Sequence, residues 1–318
     1  TRRSSDLGLN LYARTFAYYP GEYDRIVSAV EQFSHPQIRI MIKETPHDFF
    51  LTHPNNPLPG RFERGTLAEF DITGEFNGQG LIANTWPEYI LRRAGDLLQR
   101  PHVIGYVART DRYGRTRLID QPGEINLLAL KRFMEDPSVT PEAVTEAFIE
   151  EHYGEAAVIP LKRAFSRAYA IVSSSLYTLG TNTANHSKLN YDPYVSSYAR
   201  HVSGKWIHPP VARVAHGVER EFHYWKEVVE HLAPSWAKAG GAHLNEVPEV
   251  VEAGWLTPQE SMNADYLGHV LTEKAYGVAQ AEAALVDIES AREVLAEADY
   301  RQLRDYFTRT LLTARLHR

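Results

Sequence analysis

Four short runs that alternate apolar and polar residues, with amphipathic helical stretches between most of them, constrain the first part of this chain more than any other feature. Residues 7–18 (LGLNLYARTFAY), 38–45 (IRIMIKET), 66–76 (TLAEFDITGEF) and 102–110 (HVIGYVART) read as strands; 21–33, 86–100 and 124–136 read as helices. Strands joined through helices of this length pair in parallel, because a parallel connection has to travel back along the whole strand. The expected fold class is therefore α/β. Four such units amount to half of an eight-stranded barrel, and the fold predicted for residues 1–138 is the second half of a (β/α)8 TIM barrel.

Beyond the segment DPSVTPEAV the pattern turns helical, with predicted helices over 141–153, 157–178, 211–232 and 277–315. Residues 139–318 are expected to form an α-helical C-terminal domain. The chain has 318 residues, of which 43% are hydrophobic, enough for a sizeable core. A net charge of -6 with scattered Lys and Arg argues against a nucleic-acid surface, and no apolar run is long enough to span a membrane. There are no cysteines, which removes thiol catalysis and thiolate metal sites and leaves cytoplasm and periplasm equally open. The first residues, TRRSSDLGLN, carry neither an initiator Met nor a signal peptide, so the chain is expected to begin inside a larger protein.

The strands carry an unusual inner face. Alternate residues of a strand point the same way, so Glu69, Asp71, Thr73 and Glu75 are expected on one face, with Arg14 on the first strand and Arg39 and Lys43 on the second. The opposite face is apolar: Ile38, Ile40, Ile42, Phe70 and Ile72. Barrel interiors are ordinarily filled by Val, Ile and Leu. Charges there either pair with one another or serve a ligand, and both readings stand on the sequence. Asp48 and Glu75, at or just past the ends of consecutive strands, fall where barrel enzymes keep their active sites.

The run from Leu11 to Gly80 resembles the catalytic barrel of glycoside hydrolase family 67, the α-glucuronidases. Lys43, Pro46, Asp48 and Phe49 fill a template I-K-x-x-P-x-D-F; Glu69, Ile72, Thr73, Glu75, Phe76, Gly78 and Gln79 fill E-x-x-I-T-x-E-[YF]-x-G-Q. The similarity continues more weakly through Trp86, VIGYVARTDR (with Arg109) and NLLALKRFMEDPSVTPEAV, covering about residues 9–150. It implies hydrolysis of a uronic-acid glycosidic bond with inversion, in polysaccharide breakdown of the xylan type. Asp48 and Glu75 would be the catalytic carboxylates that activate water, and Arg14 and Lys43 would bind the uronate carboxylate. Glu69, Asp71, Trp86 and Arg109 would complete the substrate-binding surface. The family's general-acid glutamate lies upstream of the matched region, and THPNNP replaces the R-E-P stretch that follows the family's aspartate.

This chemistry suits the residue types. An inverting glycosidase needs two carboxyl groups about 6.5–9.5 Å apart with water between one of them and the sugar, and Arg and Lys are natural partners for a sugar acid. No metal or organic cofactor is expected. The expected partner is an oligosaccharide or polysaccharide bearing a uronic acid; a homodimer is left open. The alternatives are a glycosidase acting on another sugar acid and a non-catalytic uronate- or polysaccharide-binding protein. His216, Glu219 and His223 share one helix face with metal-ligand spacing, but they occupy the polar side of an amphipathic helix, and a solvated face is the preferred reading. The Tyr- and His-rich segment 187–210 is a candidate cleft lining, with packing as its alternative.

Overall fold

A computed structural model describes residues 9–15, 20–32, 35–45, 49–51, 55–56, 58–110, 118–178, 181–182 and 264–318. Asp48, Pro46, the segment 187–210 and the candidate helix 211–232 with His216, Glu219 and His223 lie outside the described residues.

The four expected strands form one parallel sheet in the order β1-β2-β3-β4: β1 Leu11–Thr15, β2 Ile38–Lys43, β3 Thr66–Asp71 and β4 Val103–Arg109. The α/β class is as the sequence predicts. Helix α1 (Pro20–Gln32) connects β1 to β2, and α2 (Pro87–Leu97) connects β3 to β4. Helices α3 (Ile125–Glu135), α4 (Pro141–Tyr153), α5 (Val158–Ser166), α6 (Ala168–Leu176), α7 (Ala264–Ser290) and α8 (Glu297–His317) follow.

Burial explains the packing. Val27 and Val30 of α1 cover Ile40 and Ile42 of β2, together with Leu58 and Phe62. Ala68 and Phe70 of β3 begin a second, larger core that runs without interruption through Ile90 of α2, Ala129 of α3, Phe148 of α4, Leu161 of α5, Ile171 of α6, Ala281 of α7 and Leu303 of α8. Strands β3 and β4 and the C-terminal helices thus share one apolar core, while β2 packs with α1 in the smaller one.

Three expectations on local structure are corrected. Strand β3 stops at Asp71, so Thr73 and Glu75 do not continue its alternation. The reason is the Asp71 side chain, which binds backbone N–H groups of residues 73 and 75 and draws the chain into a turn. The predicted helix 157–178 is two helices, divided at Arg167, whose N–H tightens onto the Ala164 carbonyl. The predicted helix 277–315 is likewise α7 and α8, separated by a turn that ends with Ala296 in an extended conformation. The pairs Arg304–Glu289 and Arg315–Glu282 show that α7 and α8 run antiparallel.

Candidate functional site

The strand register gathers the charges at one end of the sheet. Lys43 lies beside Glu69 and Asp71 beside Arg109, while Arg14 pairs with Met41, two residues before Lys43. Partners in a parallel ladder project to the same face, and neighbouring strands are about 4.8 Å apart. Arg14, Lys43, Glu69, Asp71 and Arg109 therefore share the face opposite Ile40, Ile42, Ala68 and Phe70, at the C-terminal ends of their strands. Lys43, Glu69, Asp71 and Glu75 are all buried.

Glu69 is the hub. Arg14 grips it with both nitrogens, Nε to Oε2 at 2.6 Å and Nη2 to Oε1 at 3.0 Å, and Arg109 approaches Oε1 at 3.8 Å. Arg109 turns its Nη1 to Glu75 Oε2 at 2.5 Å, so one guanidinium links the two glutamates. Lys43 and Arg109 both lie over the ring of Phe49, at 4.6 and 4.9 Å from its centroid. An aromatic face attracts cations through its quadrupole, which favours both placements.

Asp71 has a different task. Its Oδ1 accepts from the Thr73 N–H (3.1 Å) and the Thr73 hydroxyl (2.8 Å), and its Oδ2 accepts from the Glu75 N–H (2.5 Å). These bonds and Arg109 favour its charged form, yet burial outweighs them and pushes its carboxyl above the ordinary range. The turn that follows needs left-handed backbone at Gly74 (φ 69°), Gly78 (φ 97°), Gln79 (φ 52°) and Gly80 (φ 71°). At Gly78 a β-carbon would come within 2.1 Å of Ile82 Cγ1, so both conformation and space call for glycine.

The C-terminal helices brace this turn and the loop beyond it. The Tyr177 hydroxyl, at the end of α6, donates to Asn77 Oδ1 (2.5 Å) and accepts the Leu51 N–H (2.9 Å). The Tyr306 hydroxyl on α8 donates to Asn84 Oδ1 (2.5 Å) and accepts the Asn84 N–H (3.0 Å), while Thr310 accepts the Ala83 N–H (2.9 Å). Asn126 closes the set, accepting the Trp86 N–H at 3.1 Å and donating to the Asn84 carbonyl at 2.5 Å. Backbone in an irregular loop cannot satisfy its own polar groups, and these side chains supply the missing partners.

The structure thus brings together Arg14, Lys43, Glu69, Asp71, Glu75 and Arg109. Trp86 stands apart: it caps α2, is buried against Tyr89, and lines a cavity of about 130 Å³ bounded also by Pro141, Lys162, Phe165 and Tyr169. Arg39 belongs to the other end of β2, in a cleft of about 930 Å³ shared with Tyr12, Glu31, Arg61 and Arg64.

Glu44 and Arg93 are two buried charged residues beside this set that pattern reading missed. Glu44 Oε1 accepts the Asp71 N–H at 3.1 Å, and Arg93 Nε lies 3.9 Å from Glu44 Oε2. The available signal was an acidic residue at the parity of the apolar face, following Ile40 and Ile42. Among the described residues, no group of three or more His, Cys, Asp or Glu is placed to hold a metal ion, and no helix is long and apolar enough to cross a membrane. The chain matches no family model and no curated protein.

Proposed function

We propose that the chain carries the water-activating half of an inverting glycoside hydrolase of the α-glucuronidase type, folded as the second half of a (β/α)8 barrel. The observation that carries this reading is the buried meeting of three carboxylates, Glu69, Asp71 and Glu75, with Arg14, Lys43 and Arg109 at the C-terminal ends of consecutive parallel strands. Ligands of α/β sheets bind at that end, and burying so many charges is costly unless they are paired or put to use. The sequence resemblance around Lys43–Phe49 and Glu69–Gln79 supplies the substrate class.

In this reading Asp48 and Glu75 orient a water molecule and take its proton as its oxygen attacks the anomeric carbon. The family's general acid, a glutamic acid that lies before the matched region, would protonate the departing glycosidic oxygen, and the anomeric configuration inverts. The cationic set recognises the sugar carboxylate. Arg14 is already engaged by Glu69, so its role is to share its guanidinium between Glu69 and the sugar, whereas Lys43 lies deeper, over Phe49.

The test is hydrolysis by the full-length protein of xylo-oligosaccharides substituted with glucuronic acid, with the anomer of the released sugar followed by proton NMR. Release of the β-anomer from an α-linked substrate, lost in Glu75→Ala, is expected. Saturable binding of the same oligosaccharides with no turnover would favour the uronate-binding alternative.

A further inference from the structure

We propose that Glu44 is a positioning residue for this site, its side chain joining helix α2 to the turn that carries Glu75. The inference rests on the functional reading above for its kinetic consequence and on geometry alone for the linkage itself.

Glu44 directly follows the last residue of β2, and its backbone is fixed on both sides: its N–H donates to the Glu69 carbonyl at 2.9 Å and its carbonyl accepts the Asn56 N–H at 2.7 Å. The side chain is buried, and its Oε1 accepts the Asp71 N–H at 3.1 Å. Asp71 in turn accepts the Glu75 N–H at 2.5 Å. Two hydrogen bonds therefore separate the Glu44 carboxyl from the backbone of Glu75. On its other side Arg93 holds it from α2, at 3.9 Å from Oε2, while stacking on Tyr89 (4.4 Å) and donating to Asn55 Oδ1 (2.9 Å). Oε2 itself is buried, with no hydrogen-bond partner among the described residues.

This carboxyl is also set to change charge near neutrality. Among the described residues, the charged and titratable groups facing it are Arg93 and Tyr89 from α2 and Asp71 and Glu69 from β3. Burial pushes its pKa up to about 7; Arg93 and the Asp71 N–H oppose this, and the charges of Asp71 and Glu69 add to it. An ionised acceptor makes the stronger hydrogen bond, so the grip on the Asp71 N–H tightens as pH rises through neutrality. Glu44 falls at an unspecified position of the family template, between Lys43 and Pro46, so the role comes from the packing of this chain.

The experiment compares the full-length protein with Glu44→Ala and Glu44→Gln by two readouts. The first is amide hydrogen exchange at residues 71 and 75, with residue 83, held by Thr310, as the internal reference. The second is the pH profile of kcat and KM on glucuronic-acid-substituted xylo-oligosaccharides. Glu44→Ala is expected to raise exchange at residues 71 and 75 about tenfold or more relative to residue 83, and to lower kcat about tenfold or more with KM changed less than about threefold. Glu44→Gln keeps an acceptor oxygen and restores most of the protection and kcat, but loses the inflection near pH 7. Unchanged exchange at residues 71 and 75 in Glu44→Ala overturns the proposal, as does an inflection that survives in Glu44→Gln. If Glu44→Ala does not fold, the inflection in Glu44→Gln decides alone. A wild-type protein that hydrolyses none of these substrates while exchange responds as expected overturns the functional reading and leaves the linkage standing.

Discussion

Arg14 and Glu69 form a two-pronged ion pair across the sheet, one partner on β1 and the other on β3, with bonds of 2.6 and 3.0 Å. The pair is lopsided in exposure: the Arg14 side chain is 40% exposed and that of Glu69 5%. Removing Arg14 leaves a buried carboxylate with Arg109 at 3.8 Å, whereas removing Glu69 leaves a cation that water can reach. Arg14→Ala is therefore expected to destabilise the fold by about 1–3 kcal/mol, and Glu69→Gln by less. Urea unfolding of the two variants checks this. Equal losses would show that the pair is not governed by desolvation of Glu69.

Asp71 is expected to act through the turn. Asp71→Asn keeps the size of the side chain but places an amide nitrogen, a donor, among groups that donate to both carboxylate oxygens, the N–H of Thr73 and the N–H of Glu75. We expect a loss of about 2–4 kcal/mol in stability, together with a fall in kcat because Glu75 is displaced. A variant with wild-type stability would mean that the turn keeps its shape without these bonds.

Lys43 separates charge recognition from packing. Lys43→Met preserves most of the apolar contact with Phe49 and removes the cation. Uronide substrates should lose about 2–4 kcal/mol of transition-state stabilisation, measured as kcat/KM, and neutral glycosides far less. Equal losses on both would remove Lys43 from carboxylate recognition.

Asp48 and Glu75 should each be needed for turnover. Asp48→Ala and Glu75→Ala in the full-length protein are expected to lower kcat by about a hundredfold or more, the scale of general-base catalysis. Addition of azide or formate to Glu75→Ala provides a second reading, since a small anion can occupy the vacated space and restore attack on the sugar. Full activity in either variant would exclude that residue as a base.

Glu44 gives stability a pH dependence whose sign follows from its shift. Its carboxyl titrates at about 7 in the folded protein against 4.5 ordinarily, so between these values the unfolded chain has released a proton that the folded chain retains. Stability contributed at this position therefore falls as pH rises from about 4.5 to 7 and is level above that, by about 3 kcal/mol in all. Melting temperatures measured from pH 5 to 8 should show this decline in the wild type and a flatter course in Glu44→Gln. The same slope in both proteins would assign it to other groups.

Read alone, the residues determined the elements and the faces. Alternating apolar and charged positions in 38–45 and 66–76 placed Lys43, Glu69 and Asp71 on one side and Ile40, Ile42 and Phe70 on the other, because a strand has a period of two whatever it packs against. The helical pattern of residues 86–100 marked α2 in the same way. Those are local properties of a chain. What tertiary structure decided was the pairing: that Arg14 spends its fork on Glu69, that Arg109 spans Glu69 and Glu75, and that Tyr177 and Tyr306, about a hundred and more than two hundred residues away in sequence, hold the loops beside the site. It also decided that β3 ends at Asp71, because a side chain that satisfies two backbone N–H groups ahead of it competes with the sheet ladder and wins. Glu44 shows the limit most clearly. Its burial, its contact with Arg93 and its hold on Asp71 exist only once α2 lies against the ends of β2 and β3, and no periodicity in the sequence encodes a distance between groups that the chain brings together by folding.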